Sequence, residues 1–370
     1  MLTQDVLAEC RFCSQVSKGN GEDPIGTAGT AQHWLVLELA PPWTQQMFKE
    51  NPKISPLVDL FKQLFMKQGI MMQPVLIAPD PDYSCPGETR VIYYQSPHQQ
   101  FSQFEKQEFM VPEADFPKLV TAILKHLMKQ PNQLEEFQRY RQETSYIREL
   151  LICTHGNIDA ACSRFGYPIY KKLRGDYLDN RYHPDKTSPS VRVWRCSHFG
   201  GHKFAPTLVD LPSGQYWGHL EPDMLDLLVH RQGDVAGLRS HYRGWAGLAK
   251  FEQIAEREIW MQEGWDWLTY HKSGKTLRKG LKGIKRFLYP LLRLIPLKRA
   301  QFFLEQWTQD ATWADVEIQF TNAEQTVSGV YHARVEQSGQ VMTAGQSPKS
   351  GEELTLTSAP QYRVSRLIKQ

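Results

Sequence analysis

The segment Glu149-Leu-Leu-Ile-Cys153-Thr-His-Gly-Asn-Ile-Asp-Ala-Ala-Cys162 joins a predicted strand to a predicted helix and contains two cysteines. The apolar run 149–153 is typical of a short buried strand, and Asp159 is a favourable N-cap for a helix over residues 159–173. A connection of this length allows both sulfur atoms to reach one metal centre. Taken alone, the pair is equally well interpreted as two buried, inert thiols.

A second pair of possible ligands follows in His198-Phe-Gly-Gly-His202, directly after a strand predicted over residues 191–196. The two glycines disfavour a helix and allow a tight turn with both imidazoles pointing inward. We expect this strand to lie beside the strand that ends at Cys153, so that four side chains converge at one edge of a sheet. The spacing therefore predicts a metal site with two cysteines and two histidines. Such ligands suit either a zinc ion or an iron–sulfur cluster.

The surrounding elements predict an α+β (α/β) protein that contains two thioredoxin-like domains. Residues 145–235 show the order strand, helix, strand, hairpin and helix, with the hairpin turn at Pro212-Ser213-Gly214. Residues 10–140 show the order strand, helix, strand, strand and helix. Residues 237–370 form a predicted extension with a helix over 248–268, a basic segment and a small antiparallel sheet. The two thioredoxin-like regions are interpreted as a diverged internal duplication.

Composition places the chain among ordinary folded proteins. The net charge is only +3, which gives no reason to expect nucleic-acid binding. The first eleven residues lack an apolar stretch of signal-peptide type, and no run of about 18 apolar residues predicts a membrane span. We therefore expect a cytoplasmic location. Six cysteines in a reducing compartment are expected to be thiols or metal ligands rather than disulfides.

The two ligand pairs, in the context Gly201-His202-Lys203-Phe204-Ala205, resemble the sucrase/ferredoxin-like family. The similarity covers residues 10–235. It is strengthened by several further stretches of matching sequence: Cys13, residues 26–28, 34–38, 185–195 and 206–217. Gly244-Trp245 and residues 256–265 are similar to an extension of cyanobacterial-type members.

This resemblance implies a thioredoxin-like ferredoxin with one 2Fe-2S cluster on Cys153, Cys162, His198 and His202. It implies that the two histidines bind the same iron, and that the first domain is a degenerate copy without a cluster. The expected function is electron transfer with a redox partner protein. Neutral imidazoles raise the potential: two-histidine Rieske centres lie at about −150 to +300 mV, against about −400 mV for all-cysteine plant-type ferredoxins. An imidazole ligand also keeps a second ring proton, so the potential is expected to depend on pH.

Other functions were weighed against this one. A structural zinc-binding interaction protein is the main alternative. A hydrolase would need two carboxylates across a cleft, and no motif singles out such a pair, so sucrase activity is not expected. A thioredoxin-type oxidoreductase would need Cys-x-x-Cys at the strand-to-helix turn, where this chain has eight intervening residues. Cys10 and Cys13 have that shorter spacing near the N-terminus, and their role stays open. An electron carrier is expected rather than an enzyme.

The basic segment, residues 272–299, contains ten lysines and arginines, and no acidic residue lies between Asp266 and Glu305. Such a segment suits an anionic membrane surface or an acidic partner protein. A solvated helix face is the more ordinary explanation.

Overall fold

A computed structural model gives the fold of the protein and describes residues 12–97, 99–177, 191–349 and 352–370. Within these ranges the strands form two sheets, one of ten strands and one of four. None of the described helices is both long and apolar enough to cross a membrane.

The first half of the chain supplies five strands of the large sheet. Its elements are α1 (Cys13–Gly19), β1 (His33–Glu38), α2 (Gln45–Glu50), α3 (Ser55–Gln68), β2 (Met72–Ile77), β3 (Glu88–Gln95), β4 (Glu105–Pro112), α4 (Phe116–Leu127) and β5 (Arg141–Gln142). A 3-10 helix, Leu134–Tyr140, lies between α4 and β5.

The second half repeats this arrangement and continues into the extension. Its elements are β6 (Arg148–Cys153), α5 (Ala160–Asp176), β7 (Val191–Cys196), β8 (Leu208–Leu211), β9 (Gln215–Trp217), α6 (Leu225–His230) and β10 (Tyr242–Trp245). The extension contains α7 (Lys250–Glu263), β11 (His271–Lys279), α8 (Ile284–Leu292), α9 (Lys298–Trp307), β12 (Trp313–Thr321), β13 (Ser328–Ala344) and β14 (Leu356–Lys369).

The large sheet has the strand order β10-β9-β8-β6-β7-β2-β1-β3-β4-β5. In each half a parallel pair, β1 with β2 or β6 with β7, is followed by antiparallel neighbours. The halves meet where β2 and β7 pair antiparallel at Ile77 and Cys196. The α+β class is therefore confirmed, and the same strand order and direction occur twice. The proposed domain boundaries at 140 and 235 stay a prediction, because one continuous sheet runs through both halves.

Two elements differ from the sequence-based expectation. The order expected for the first half lacked β4, whose charged residues Lys106 and Glu108 look like those of an exposed segment but are buried. The composition of the basic segment indicates a solvated helix face, yet its first part is β11, which pairs with β12 in the four-stranded sheet. In both places tertiary contacts decide the structure, not local pattern.

The inner layer of the molecule lies between the two halves of the large sheet. Trp34 and Val36 of β1 belong to the same buried cluster as Leu151 and Cys153 of β6 and Trp194 of β7. The alternate residues of these strands face outward, where helices of both halves and of the extension cover them. Cys153 therefore points into the layer that the two halves share.

Arg192 of β7 is the centre of a buried charge cluster in this layer. Its Nε donates to both carboxylate oxygens of Glu149 on β6 at 3.0 Å, and its Nη1 donates to Glu108 of β4 at 3.0 Å. Lys106 donates from Nζ to Glu149 at 2.7 Å. Burial on its own would raise the pKa of Glu149, but Arg192 and Lys106 outweigh it and hold the pKa at about 2. Because buried charges are costly unless they are paired, this cluster determines how the halves face each other.

We expect Arg192→Met to lower the free energy of unfolding by about 3–5 kcal/mol at neutral pH, because two carboxylates would lose their main cation. In the wild type the depressed pKa of Glu149 stabilises the fold fully above the unfolded pKa of about 4.3. That contribution is lost as the pH falls toward about 2. The difference between wild type and variant should therefore shrink below about pH 5.

Urea unfolding followed by tryptophan fluorescence at several pH values measures this difference. Replacement of the exposed Arg139 by Met is the control and should leave the free energy of unfolding nearly unchanged. A difference that stays constant from neutral to acid pH would contradict the assigned role of Arg192.

Candidate metal centre

Cys153 is the last residue of β6, Cys162 lies in the first turns of α5, and both thiols are buried. Asp159 is the N-cap of α5, as expected, and accepts a hydrogen bond from the Ala161 amide at 2.8 Å. Gly166 lets the helix approach the end of β6 closely: a Cβ atom there would lie 2.1 Å from the carbonyl oxygen of Cys153. The two cysteines meet because this helix packs directly on the strand end.

The two histidines lie on the turn that follows β7. Gly200 and Gly201 have φ angles of +102° and +81°, which favour glycine, so the predicted tight turn is present. The rings of His198 and His202 stack with their centroids 5.3 Å apart. Nδ1 of His198 lies 3.9 Å from the sulfur of Cys153 and 4.0 Å from that of Cys162.

Three of the four predicted ligands lie close together, since the ligand atoms of Cys153, Cys162 and His198 are within 4.8 Å of one another. His202 is not in that group; its ligand atom lies within the same distance of Cys13 and Asp159 instead. The structure thus stacks His202 on His198 but leaves it outside the group that the other three predicted ligands form.

The nitrogen atoms of His202 indicate how this residue would bind a metal. Nε2 lies 2.6 Å from the carbonyl oxygen of Gly345. Nδ1 is buried and has no hydrogen-bond partner among the residues that the structure describes. Buried polar atoms are normally satisfied, and a bound metal would satisfy this nitrogen while the carbonyl orients the ring from behind. The donor set of two thiols and two imidazoles therefore fits a metal centre.

The two thiols influence each other's ionisation. A hydrogen bond from Cys162, assisted by His198, holds the pKa of the Cys153 thiol well below its ordinary value. The same contact and burial raise the pKa of Cys162. The pair therefore loses one proton easily, which suits metal binding because the thiolate is the ligand form.

The end of β13 and the loop after it cover this site. The Ser347 amide donates to Oδ2 of Asp159 at 2.7 Å, and its hydroxyl donates to Oδ1 at 2.6 Å. Cys13 of α1 lies against the same carboxylate, with its sulfur 3.6 Å from Oδ2. Burial raises the pKa of the Cys13 thiol to about 12, so this thiol stays protonated at neutral pH. Cys10 lies outside the described residues.

Arg243 supports the histidine turn and was missed in the sequence, although its neighbours Gly244-Trp245 were noticed. Its buried guanidinium donates to the carbonyl oxygens of Gly200 at 3.0 Å and Thr27 at 2.7 Å. It packs against Gly201, where a Cβ atom would lie 2.3 Å from Nη2. Burial lowers the pKa of Arg243 to about 10, well above neutral, so a positive charge remains beside the site.

His155 and Cys196 lie near the site without being members of the ligand group. Nδ1 of His155 accepts a hydrogen bond from the His198 amide at 3.2 Å, and Nε2 contacts the carbonyl oxygen of Trp43. His155 therefore orients the backbone of a predicted ligand. Cys196 pairs with Cys153 in the register of β6 and β7, and burial raises its pKa well above the ordinary value.

Comparison with known proteins identifies the family. The model of the sucrase/ferredoxin-like family matches residues 24–244, more than half of the 370 residues, and the chain belongs to this family. The matched range includes all four predicted ligands and Arg243. The assignment of the chain to the cyanobacterial-type members stays a prediction.

Among solved structures, a thioredoxin-like [2Fe-2S] ferredoxin from Aquifex aeolicus is similar to 28% of this chain and 97% of its own length. The sequence identity is 15% and the TM-score is 0.22. No curated protein matches the sequence significantly.

The close approach at Gly166 can be tested with two substitutions in one helix. We expect Gly166→Ala to lower the free energy of unfolding by about 1–3 kcal/mol, since the methyl group would displace the Cys153 backbone. Gly175→Ala, also in α5, meets no atom within 4 Å and should stabilise the helix by up to about 1 kcal/mol. Thermal unfolding and metal content measure both effects. Equal stability and metal content in the two variants would show that the end of β6 can move away from α5, and would contradict the need for glycine at position 166.

Proposed function

We propose that this protein transfers electrons through one 2Fe-2S cluster bound by Cys153, Cys162, His198 and His202. The observation that carries the proposal is the buried thiol pair facing Nδ1 of His198, next to a second imidazole whose buried Nδ1 lacks a partner among the described residues. Membership of the sucrase/ferredoxin-like family supports the choice of cluster. When bound, such a cluster supplies one-electron chemistry.

The hydrogen bond from His202 to Gly345 gives this histidine a defined role. Because Nε2 donates its proton to the carbonyl oxygen, the lone pair is left on Nδ1, the atom that would bind iron. The carbonyl oxygen that accepts this hydrogen bond thus selects the tautomer and keeps the ring in place. The extension takes part in the proposed site through this backbone contact.

Of the four proposed ligands, the two histidines are the ones through which electrons would enter and leave the cluster. His198 and His202 are half-buried, whereas Cys153 and Cys162 are buried. The imidazole side of the site therefore lies nearer to solvent. We place the contact with a redox partner protein on this side.

Spectroscopy of the purified full chain, produced with iron available, tests the proposal. We expect a red-brown protein with a rhombic electron paramagnetic resonance signal after reduction, and equal amounts of iron and acid-labile sulfide. Cys153→Ala should lose the cluster, whereas replacement of the exposed Cys85 by Ala should retain it. A colourless protein with one zinc ion per chain would overturn the proposal and favour a structural zinc site.

The potential of the cluster should fall as the pH rises. The Nε2 proton of His202 is held more tightly when the site carries an extra electron and is released more readily after oxidation. A slope of up to about 59 mV per pH unit is expected where this proton titrates. Voltammetry from mildly acid to alkaline pH measures it.

Replacing an imidazole by a thiolate provides the comparison. His202→Cys should keep a cluster, lower its potential by on the order of 100 mV and weaken the pH dependence. His126→Cys changes an exposed histidine on α4 and should alter neither quantity. A potential that does not change with pH in the wild type would contradict proton coupling.

A further inference from the structure

The region around α8 exposes apolar side chains to an unusual extent. Five of them are between 63% and 77% exposed: Ile284, Phe287, Leu291, Leu294 and Leu297. Every other large apolar side chain in the described ranges is at most 56% exposed. Single exposed apolar residues are ordinary, but five within fourteen consecutive positions mark an interaction surface. We call residues 284–297 the apolar ridge.

The spacing in α8 gathers the apolar side chains on one side. Ile284, Phe287 and Leu291 recur at the intervals of three and four residues that place side chains on one helix face. A helix with such a face normally buries it against the core. Here none of the nine residues of α8 is buried by the described part of the chain. Its apolar face is thus turned toward solvent.

Positive charges surround the apolar ridge, and no acidic residue lies between Asp266 and Glu305. Lys285 is engaged by Asp310 at 2.7 Å. Lys282, Arg286 and Arg293 form no ion pair with any residue in the described ranges. Their charge is therefore available to an anionic partner. By contrast, Lys275 and Arg278 of β11 pair with Glu317 and Asp315 and belong to the fold.

We propose that the apolar ridge docks the protein on the surface of a lipid bilayer that carries anionic headgroups. Protruding apolar side chains next to unpaired cations are the features of a helix that lies in the interface plane. A bilayer accepts apolar groups that stand out from the surface and, at the same height, attracts lysine and arginine. Docking of this kind goes beyond electron transfer and does not depend on the cluster.

Vesicle sedimentation with the full chain tests this docking. The protein should bind vesicles of phosphatidylcholine mixed with phosphatidylglycerol, and bind vesicles of phosphatidylcholine alone at least about tenfold more weakly. The double variant Phe287→Ser/Leu291→Ser should bind the mixed vesicles at least about tenfold more weakly than the wild type. The charge variant Arg286→Glu/Arg293→Glu should lose most of the preference for anionic lipid.

The control is Tyr146→Ser/Val327→Ser, which removes two exposed apolar side chains elsewhere and should bind like the wild type. Circular dichroism and thermal unfolding confirm that each variant is folded. The Cys153→Ala variant should bind vesicles equally well, which separates this result from the outcome for the cluster.

Three outcomes would overturn the proposal. One is absence of vesicle binding by the folded wild type. Another is a dimer that Phe287→Ser/Leu291→Ser converts to a monomer without any effect of lipid, which would assign the apolar ridge to self-association. The third is equal binding by the wild type and by both ridge variants, which would assign lipid binding to another surface.

Discussion

The ion cluster around Arg192 is the interaction on which the fold depends. One guanidinium lies between carboxylates from different halves of the sheet, Glu108 of β4 and Glu149 of β6. An unpaired charge in this layer would lower the free energy of unfolding by several kcal/mol. The two halves are therefore held in the arrangement that pairs every charged side chain of the cluster. Glu149 lies four residues before Cys153 on the same strand, and Arg192 lies six residues before His198. The cluster therefore anchors both strands whose ends carry the proposed ligands.

Local pattern was sufficient to predict that Cys153, Cys162 and His198 lie close together. Parallel neighbours bring their carboxyl ends to one edge, and the register that pairs Cys153 with Cys196 places the histidine turn beside the first thiol. The pattern failed for β4, because its alternating charges are those of a solvent-exposed strand. Their partners in the other half are Glu149 of β6, 43 residues after Lys106, and Arg192 of β7, 84 residues after Glu108. A single sequence gives no indication of a partner that distant.

The contribution of the extension was likewise hidden from sequence reasoning. Arg243 is a single arginine among many, and Gly345 acts through its backbone carbonyl, which any residue provides. The basic segment, residues 272–299, was treated as one feature, whereas the structure divides it. Lys275 and Arg278 of β11 pair with acids of the four-stranded sheet, whereas Lys282, Arg286 and Arg293 around α8 form no ion pair with any described residue. The sequence alone therefore does not distinguish the basic residues that belong to the four-stranded sheet from those that are exposed around α8.

The contact between His202 and Gly345 has a consequence for biosynthesis. The site combines Cys13 near the beginning of the chain with a carbonyl group near its end. Domains generally fold as units while the ribosome is still adding residues. The orientation of His202 requires Gly345, which is translated 143 positions later. A metal bound before residue 345 is made would therefore meet a His202 ring that this carbonyl group does not yet hold.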